Sequence, residues 1–329
     1  MNRRALFAGL IVTSIWPHRL RAQPKAVRRL GVLATTHEAD AEWKVEIAAL
    51  LGRLRDLGWI DGQNLAVDFR FGMGDVERLA AGAKELASGH PDIILARSTR
   101  AVQAVLKETK NTSIVFVSVA DPVGEGLAAS FARPGGNITG FTNVEAGMGG
   151  KWLQLLREMA PKSRRVAVLF NADVAVGRGE FFLRPMKEAA NRLDLSLQPA
   201  PVQSVEDIER VLSHLGREPD SGIVTPPDLF IVANRRAIIE MAARYMLPTV
   251  FSFRNMAAEG GLLSYGVDVA ELYRRSGDYI DRIFRGTLPG DLPIQGPTRF
   301  QLAVNLKTAR ALGLTIPASL LAQADEVIE

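Results

Sequence analysis

The chain has 329 residues, no cysteine, 40 basic and 36 acidic side chains, and a formal net charge of +4. Without cysteine there is no disulfide, thiolate metal site, cysteine nucleophile or lipid-modified cysteine. Arg3, Arg4, Arg19 and Arg21 account for the whole basic excess, so the remaining chain is charge-balanced and gives no electrostatic case for nucleic acid or an anionic membrane.

In chain order, the first feature is a leader. The Arg3-Arg4 pair precedes a largely apolar, uncharged run over Ala5–Trp16, too short to span a bilayer, and basic residues then lead to Ala22. This is the order of a secretory signal peptide, expected over residues 1–22; the arginine pair leaves both the general and the twin-arginine export routes open. The chain beyond the leader is longer than one core usually organises, so two domains are expected.

Short apolar runs then alternate with amphipathic stretches. Leu30–Ala34 is predicted as a buried strand. Ala41–Leu57 has helical spacing at Trp43, Ile47, Leu50, Leu51, Leu54 and Leu57, with Gly58 as the stop. Strands over Leu65–Phe71, Ile93–Ala96 and Ile114–Val117 enclose a helix capped by Asp75 and another over Thr99–Glu108. Strands this apolar, joined by helical crossovers, form a parallel sheet. Arg133-Pro134-Gly135-Gly136-Asn137 is a turn cluster, and Ile138–Phe141 reads as a short strand crossing onward.

The order then recurs about 130 to 136 residues later. Arg165–Phe170, Leu195–Ala200, Gly222–Thr225 and Thr249–Ser252 read as strands, with a helix over Glu180–Leu193 and another opened by Ser204-Val205-Glu206-Asp207. Gly261–Tyr265, Val269–Phe284, Phe300–Val304 and Leu306–Leu312 remain after this second unit. The surplus predicts that the chain returns to the first lobe and crosses again. The expected lobes are 27–139 plus 261–287 and 140–254 plus 292–329, with hinge passages near 138–142, 254–262 and 288–296.

In open parallel sheets ligands bind beyond the carboxyl ends of the strands, so two facing lobes would hold a small molecule between their strand tips. The residues there are the candidate ligand-binding set: Thr36, Ser98, Thr99, Ser118 and Asp121 in the first lobe, and Asn171, Asp228, Phe253 and Tyr265 beyond it. Ser98 and Thr99 open a helix whose free N–H groups suit a carboxylate; alternatively, they simply cap it. Asp121 and Asp228 suit an amine or, equally, a turn and a helix cap. Phe253 and Tyr265 offer aromatic faces or belong to the lobe cores. His18, His37, His90 and His214 share no metal-ligand spacing, and no Walker A, H-E-x-x-H or G-x-S-x-G motif occurs, so no catalytic residue, metal or cofactor is expected.

Several passages resemble a known family. They are Arg55-Asp56-Leu57-Gly58-Trp59 with Gly62-Gln63-Asn64-Leu65, then Ala120-Asp121-Pro122-Val123-Gly124, then residues 132–140 and 260–266. Pro297-Thr298-Arg299-Phe300, residues 305–309 and residues 313–317 complete the set. In this order they resemble the ABC-transporter substrate-binding proteins related to tryptophan-type binding proteins. The resemblance implies an α/β protein of the type I periplasmic-binding fold, with two Rossmann-like doubly wound parallel-sheet lobes and three crossovers. It implies no enzymatic activity, a small-molecule ligand, and an ABC permease in the inner membrane with its cytoplasmic ATPase as partner. A monomer free in the periplasm is expected. A sensory binding protein of the same fold and an exported enzyme with an interlobe active site are the alternatives. Asp121 and Asp228 would fall in loops facing the cleft. After the first strand of the second lobe only Asn171 fits the pattern of the amino-acid-binding branch.

Overall fold

In a computed structural model, residues 27–145 and 147–329 are described; the leader expected over 1–22 lies outside them. The first unit comprises β1 (Arg28–Ala34), α1 (Ala41–Asp56), β2 (Leu65–Phe71), α2 (Val76–Ser88), β3 (Ile93–Arg97), α3 (Thr99–Glu108), β4 (Ser113–Val119) and β5 (Ile138–Thr142). Its five strands lie in the order β2-β1-β3-β4-β5, all parallel. The second unit begins with α4 (Met148–Met159), β6 (Arg165–Phe170), α5 (Glu180–Arg192), β7 (Ser196–Pro201), α6 (Val205–Leu215) and β8 (Ser221–Thr225). It continues through α7 (Leu229–Ala233), α8 (Arg235–Arg244), β9 (Thr249–Phe251), α9 (Arg254–Ala258) and β10 (Leu263–Val267). After α10 (Val269–Phe284) the chain finishes with β11 (Phe300–Asn305), α11 (Leu306–Ala311), α12 (Ala318–Gln323) and β12 (Glu326–Ile328). The second sheet runs β12-β11-β10-β9-β8-β6-β7, parallel except where β10 meets β11.

Strand alternation divides the core. In β3, Ile93 and Leu95 face one side, and Ile94 and Ala96 the other. The outer faces carry separate clusters under α2 and α3 in one lobe and under α6 and α8 in the other. The remaining faces share one contiguous cluster, from Leu50 and Trp43 through Phe141, Tyr273 and Tyr279 to Trp152 and Phe182. A core continuous through the crossings resists separation of the lobes and leaves rotation as the cheap motion. The helix starts obey the expected chemistry. Asp75 accepts the Arg78 N–H at 2.9 Å and Ser204 the Asp207 N–H at 3.1 Å, each such cap contributing about 1 kcal/mol.

Three boundaries differ from expectation. Ile138–Thr142 does not cross; it is β5, paired along β4, and Gly140 allows the approach because a Cβ there would lie 2.2 Å from the Phe116 carbonyl oxygen. Residues 261–267 do not return to the first lobe. β10 is sandwiched between β9 and β11, so both of its edges are satisfied in the second sheet. The return is made by α10 and the segment after it: Arg53 holds Asp278 at 2.6 Å, the Trp59 indole N–H donates to Asp281 at 2.8 Å, and Gly277 admits the Arg53 side chain. Residues 254–262 are therefore α9 and its exit rather than a hinge. The third passage also comes later than expected, because Gln295 still pairs with β5 through Gly140 and Thr142. The chain crosses between β5 and α4, at Asp268 and at 296–299.

Candidate functional site

The carboxyl tips of β1, β3 and β4 face those of β6, β8 and β9. Arg254 of α9 reaches Glu42 of α1 at 3.5 Å across the gap, and the charge of Arg100 in α3 favours the ionised form of Asp228 before α7.

Two serines at adjacent strand tips carry unusual backbones. Ser98 has φ +89° and ψ 158°, a region almost confined to glycine. Its N–H donates to the Val117 carbonyl at 3.0 Å, which locks it to β4. Its hydroxyl caps α3 only at 3.4 Å, from Ala101. Ser118, with φ +62°, is the residue at which the β4–β5 register slips between Val117 and Val119. Such a bulge re-aims a side chain at a strand end, and the Ser118 Oγ is buried without a hydrogen-bond partner. Thr99 is the first residue of α3, and Thr36 lies half-buried in the turn after β1.

The structure brings Asn171 and Asp228 together. Asp228 Oδ2 accepts the Asn171 N–H at 2.8 Å, while Oδ1 accepts those of Phe230 at 2.7 Å and Ile231 at 3.2 Å. Burial pushes the Asp228 carboxyl up, opposed by the three N–H groups and Arg100. Asp228 thus caps α7 and ties the tip of β8 to that of β6. Asp121 stands apart, its Oδ1 accepting the Gly124 N–H at 2.8 Å within its own turn. Phe253 packs, partly buried, against the outer cluster of the second lobe. Tyr265 stacks on Phe300 with ring centroids 5.7 Å apart, and its carbonyl accepts the Trp152 indole N–H at 2.7 Å. Burial raises its phenol, and the charges of Glu145 and Asp325 raise it further.

Sequence reasoning missed a second set. Asn143 in the first crossing, Thr225 at the end of β8 and Ser252 after β9 are all buried, and Asn143 Oδ1, Thr225 Oγ1 and Ser252 Oγ have no partner. Each orphaned buried polar atom is destabilising by about 1–3 kcal/mol unless something polar meets it. With Ser118 they place an unpartnered polar atom at or beside the ends of β4, β5, β8 and β9. The available signal was position: each is the last residue of an apolar strand or the one after it.

Beneath the first-lobe tips lies a buried ion pair. Arg97, ending β3, donates to Glu46 Oε1 of α1 at 2.8 Å, with the Glu46 side chain only 4% exposed. Burial pushes the Glu46 carboxyl up to about 7, with Arg97 pulling the other way. Tyr273 of α10 lies within their field, its hydroxyl buried and unpartnered. Among the described residues no cluster of histidine and carboxylate side chains could hold a metal ion.

Two α/β lobes with facing strand tips, three crossings and neutral hydrogen-bonding groups at the junction define a bilobal small-molecule binder. The chain belongs to the ABC transporter substrate binding protein family, whose model matches residues 37–328. A tyrosine-binding protein of Clostridioides difficile (strain R20291) is 25% identical over 264 residues, covering 79% of this chain and 74% of the relative. Among solved structures, an ABC domain in complex with L-Trp from Streptococcus pneumonia superposes with a TM-score of 0.83 at 24% identity, covering 92% of this chain and 100% of that one. A conserved domain protein from Vibrio cholerae O1 biovar El Tor superposes at 0.82 and 24% identity, covering 92% and 99%. The fold is thus the type I periplasmic-binding architecture.

Proposed function

We propose that this chain is the periplasmic receptor of an ABC importer, holding one amino acid or small organic solute between its lobes and presenting the closed form to the permease. The observation that carries this reading is that Ser118, Asn143, Thr225 and Ser252, at strand ends of both lobes and in the first crossing, each bury a polar atom without a partner. Contacts made to both lobes at once exist only when the lobes are shut, so a bound solute shifts the population toward closure. The relatives that bind tyrosine and L-Trp favour an amino acid as the first class to try. In this reading the protein releases its solute unchanged and acts as a single chain.

A thermal-shift screen of amino acids and small organic acids tests it. A solute bound at 100 times its Kd should stabilise the native state by about 2.7 kcal/mol. Steady chemical turnover of that solute would contradict the reading.

A further inference from the structure

Arg254 is the first residue of α9, immediately beyond the tip of β9. Its guanidinium is held within the second lobe by Glu326 of β12: Nη2 donates to Oε1 at 2.8 Å and Nε lies 2.5 Å from Oε2. With the guanidinium held by this ion pair, Nη1 projects across the gap to Glu42 Oε1 in the first turn of α1, at 3.5 Å. Glu326 thereby orients the arginine before closure, so little side-chain entropy is lost when the lobes meet. The receiving side is acidic. Asp40 and Glu42 open α1 and Glu46 lies one turn on; Arg97 is the compensating cation there, bound to Glu46, and Tyr273 lies within their field. Arg97 is taken up by Glu46, so Asp40 and Glu42 at the start of α1 are left for a cation from the second lobe.

We infer that Arg254 is a positioning residue that sets the open–closed balance, acting as a latch between the lobes in the absence of solute. This goes beyond the receptor reading, since it concerns the resting equilibrium and requires no particular solute. Both partners are more than a third exposed, so the pair is screened by solvent and shifts the balance modestly, by roughly two- to five-fold. A receptor tuned this way binds more tightly because part of its population is already shut, and the gain fades as salt screens the pair.

The absence of native cysteine makes the test direct. Spin labels on Val76→Cys and Leu229→Cys, both exposed at strand-tip rims of opposite lobes, report the interlobe distance in solute-free protein. Glu42→Gln and Arg254→Gln should each reduce the short-distance population two- to five-fold relative to the long. The double substitution should reduce it no further, and Arg254→Lys should restore part of it. Glu42→Gln leaves the Arg254–Glu326 pair intact, so it separates the latch from any loss of α9 packing. An interlobe distance distribution unchanged by Glu42→Gln would overturn the inference. The receptor reading would survive that result, because the solute screen tests it independently.

Discussion

Ser98 sits where a glycine would be comfortable. A non-glycine residue in its backbone region is strained by about 1–3 kcal/mol, and the 3.4 Å cap bond to Ala101 recovers little of that. Ser98→Gly should therefore raise the melting temperature by roughly 2 °C while weakening solute binding, a split that calorimetry and thermal denaturation would read separately. Equal losses in both would remove the strain argument. Glu46 makes a second residue-scale claim. Its folded carboxyl titrates at about 7 against 4.5 for the ordinary group, so this side chain's contribution to stability is fully present below 4.5 and is lost as pH rises through about 7. Glu42 and Asp228 are raised as well and tilt stability the same way. Melting temperature should fall across this window in the native protein and fall less steeply in Glu46→Gln; parallel profiles would refute the assignment. The sequence showed Ser98 as a strand-tip residue. It could not show the φ of Ser98 or the burial of Glu46, since both depend on which strands and helices meet there.

The strands were legible because those buried on both faces read as unbroken apolar runs, such as Ile93–Ala96 and Val166–Phe170, bounded by polar residues. Sheet membership was not. Leu263–Val267 has the same composition whichever lobe it joins, and only the pairing with β9 and β11 decides it. α4 escaped notice for a different reason: Gly147 precedes it with no side-chain cap, so the usual start signal is missing despite Trp152, Leu153, Leu155, Leu156 and Met159 along its buried face. Gly266 is where the β10 assignment has a mechanical consequence. A Cβ there would lie 1.8 Å from the Ser252 carbonyl oxygen, so the tips of β9 and β10 come together only over a glycine. Gly266→Ala should destabilise the protein by about 3 kcal/mol, the upper end for a core insertion. It should also displace Ser252, whose hydroxyl awaits a partner. Urea denaturation measures the first effect, and a loss under about 1 kcal/mol would mean that the close approach is not enforced.

At the scale of the whole molecule, two sheets are joined by three crossings and by one apolar cluster running through them. The lobe division was expected from the repeated element order, whereas the positions of the crossings were not, because each depends on where pairing stops rather than on local composition. The arrangement favours opening and closing about the crossings over separation, with neutral hydrogen-bonding groups at the strand tips and a charged contact at the margin. Solute capture results if those tips share one guest. An X-ray structure of the protein with the solute that most raises its melting temperature tests this most directly. The account predicts density for that solute between the tips of β3–β4 and β8–β9, within hydrogen-bond distance of Ser118 on one side and Thr225 or Ser252 on the other. A solute seated on a single lobe, with those hydroxyls untouched, would contradict it.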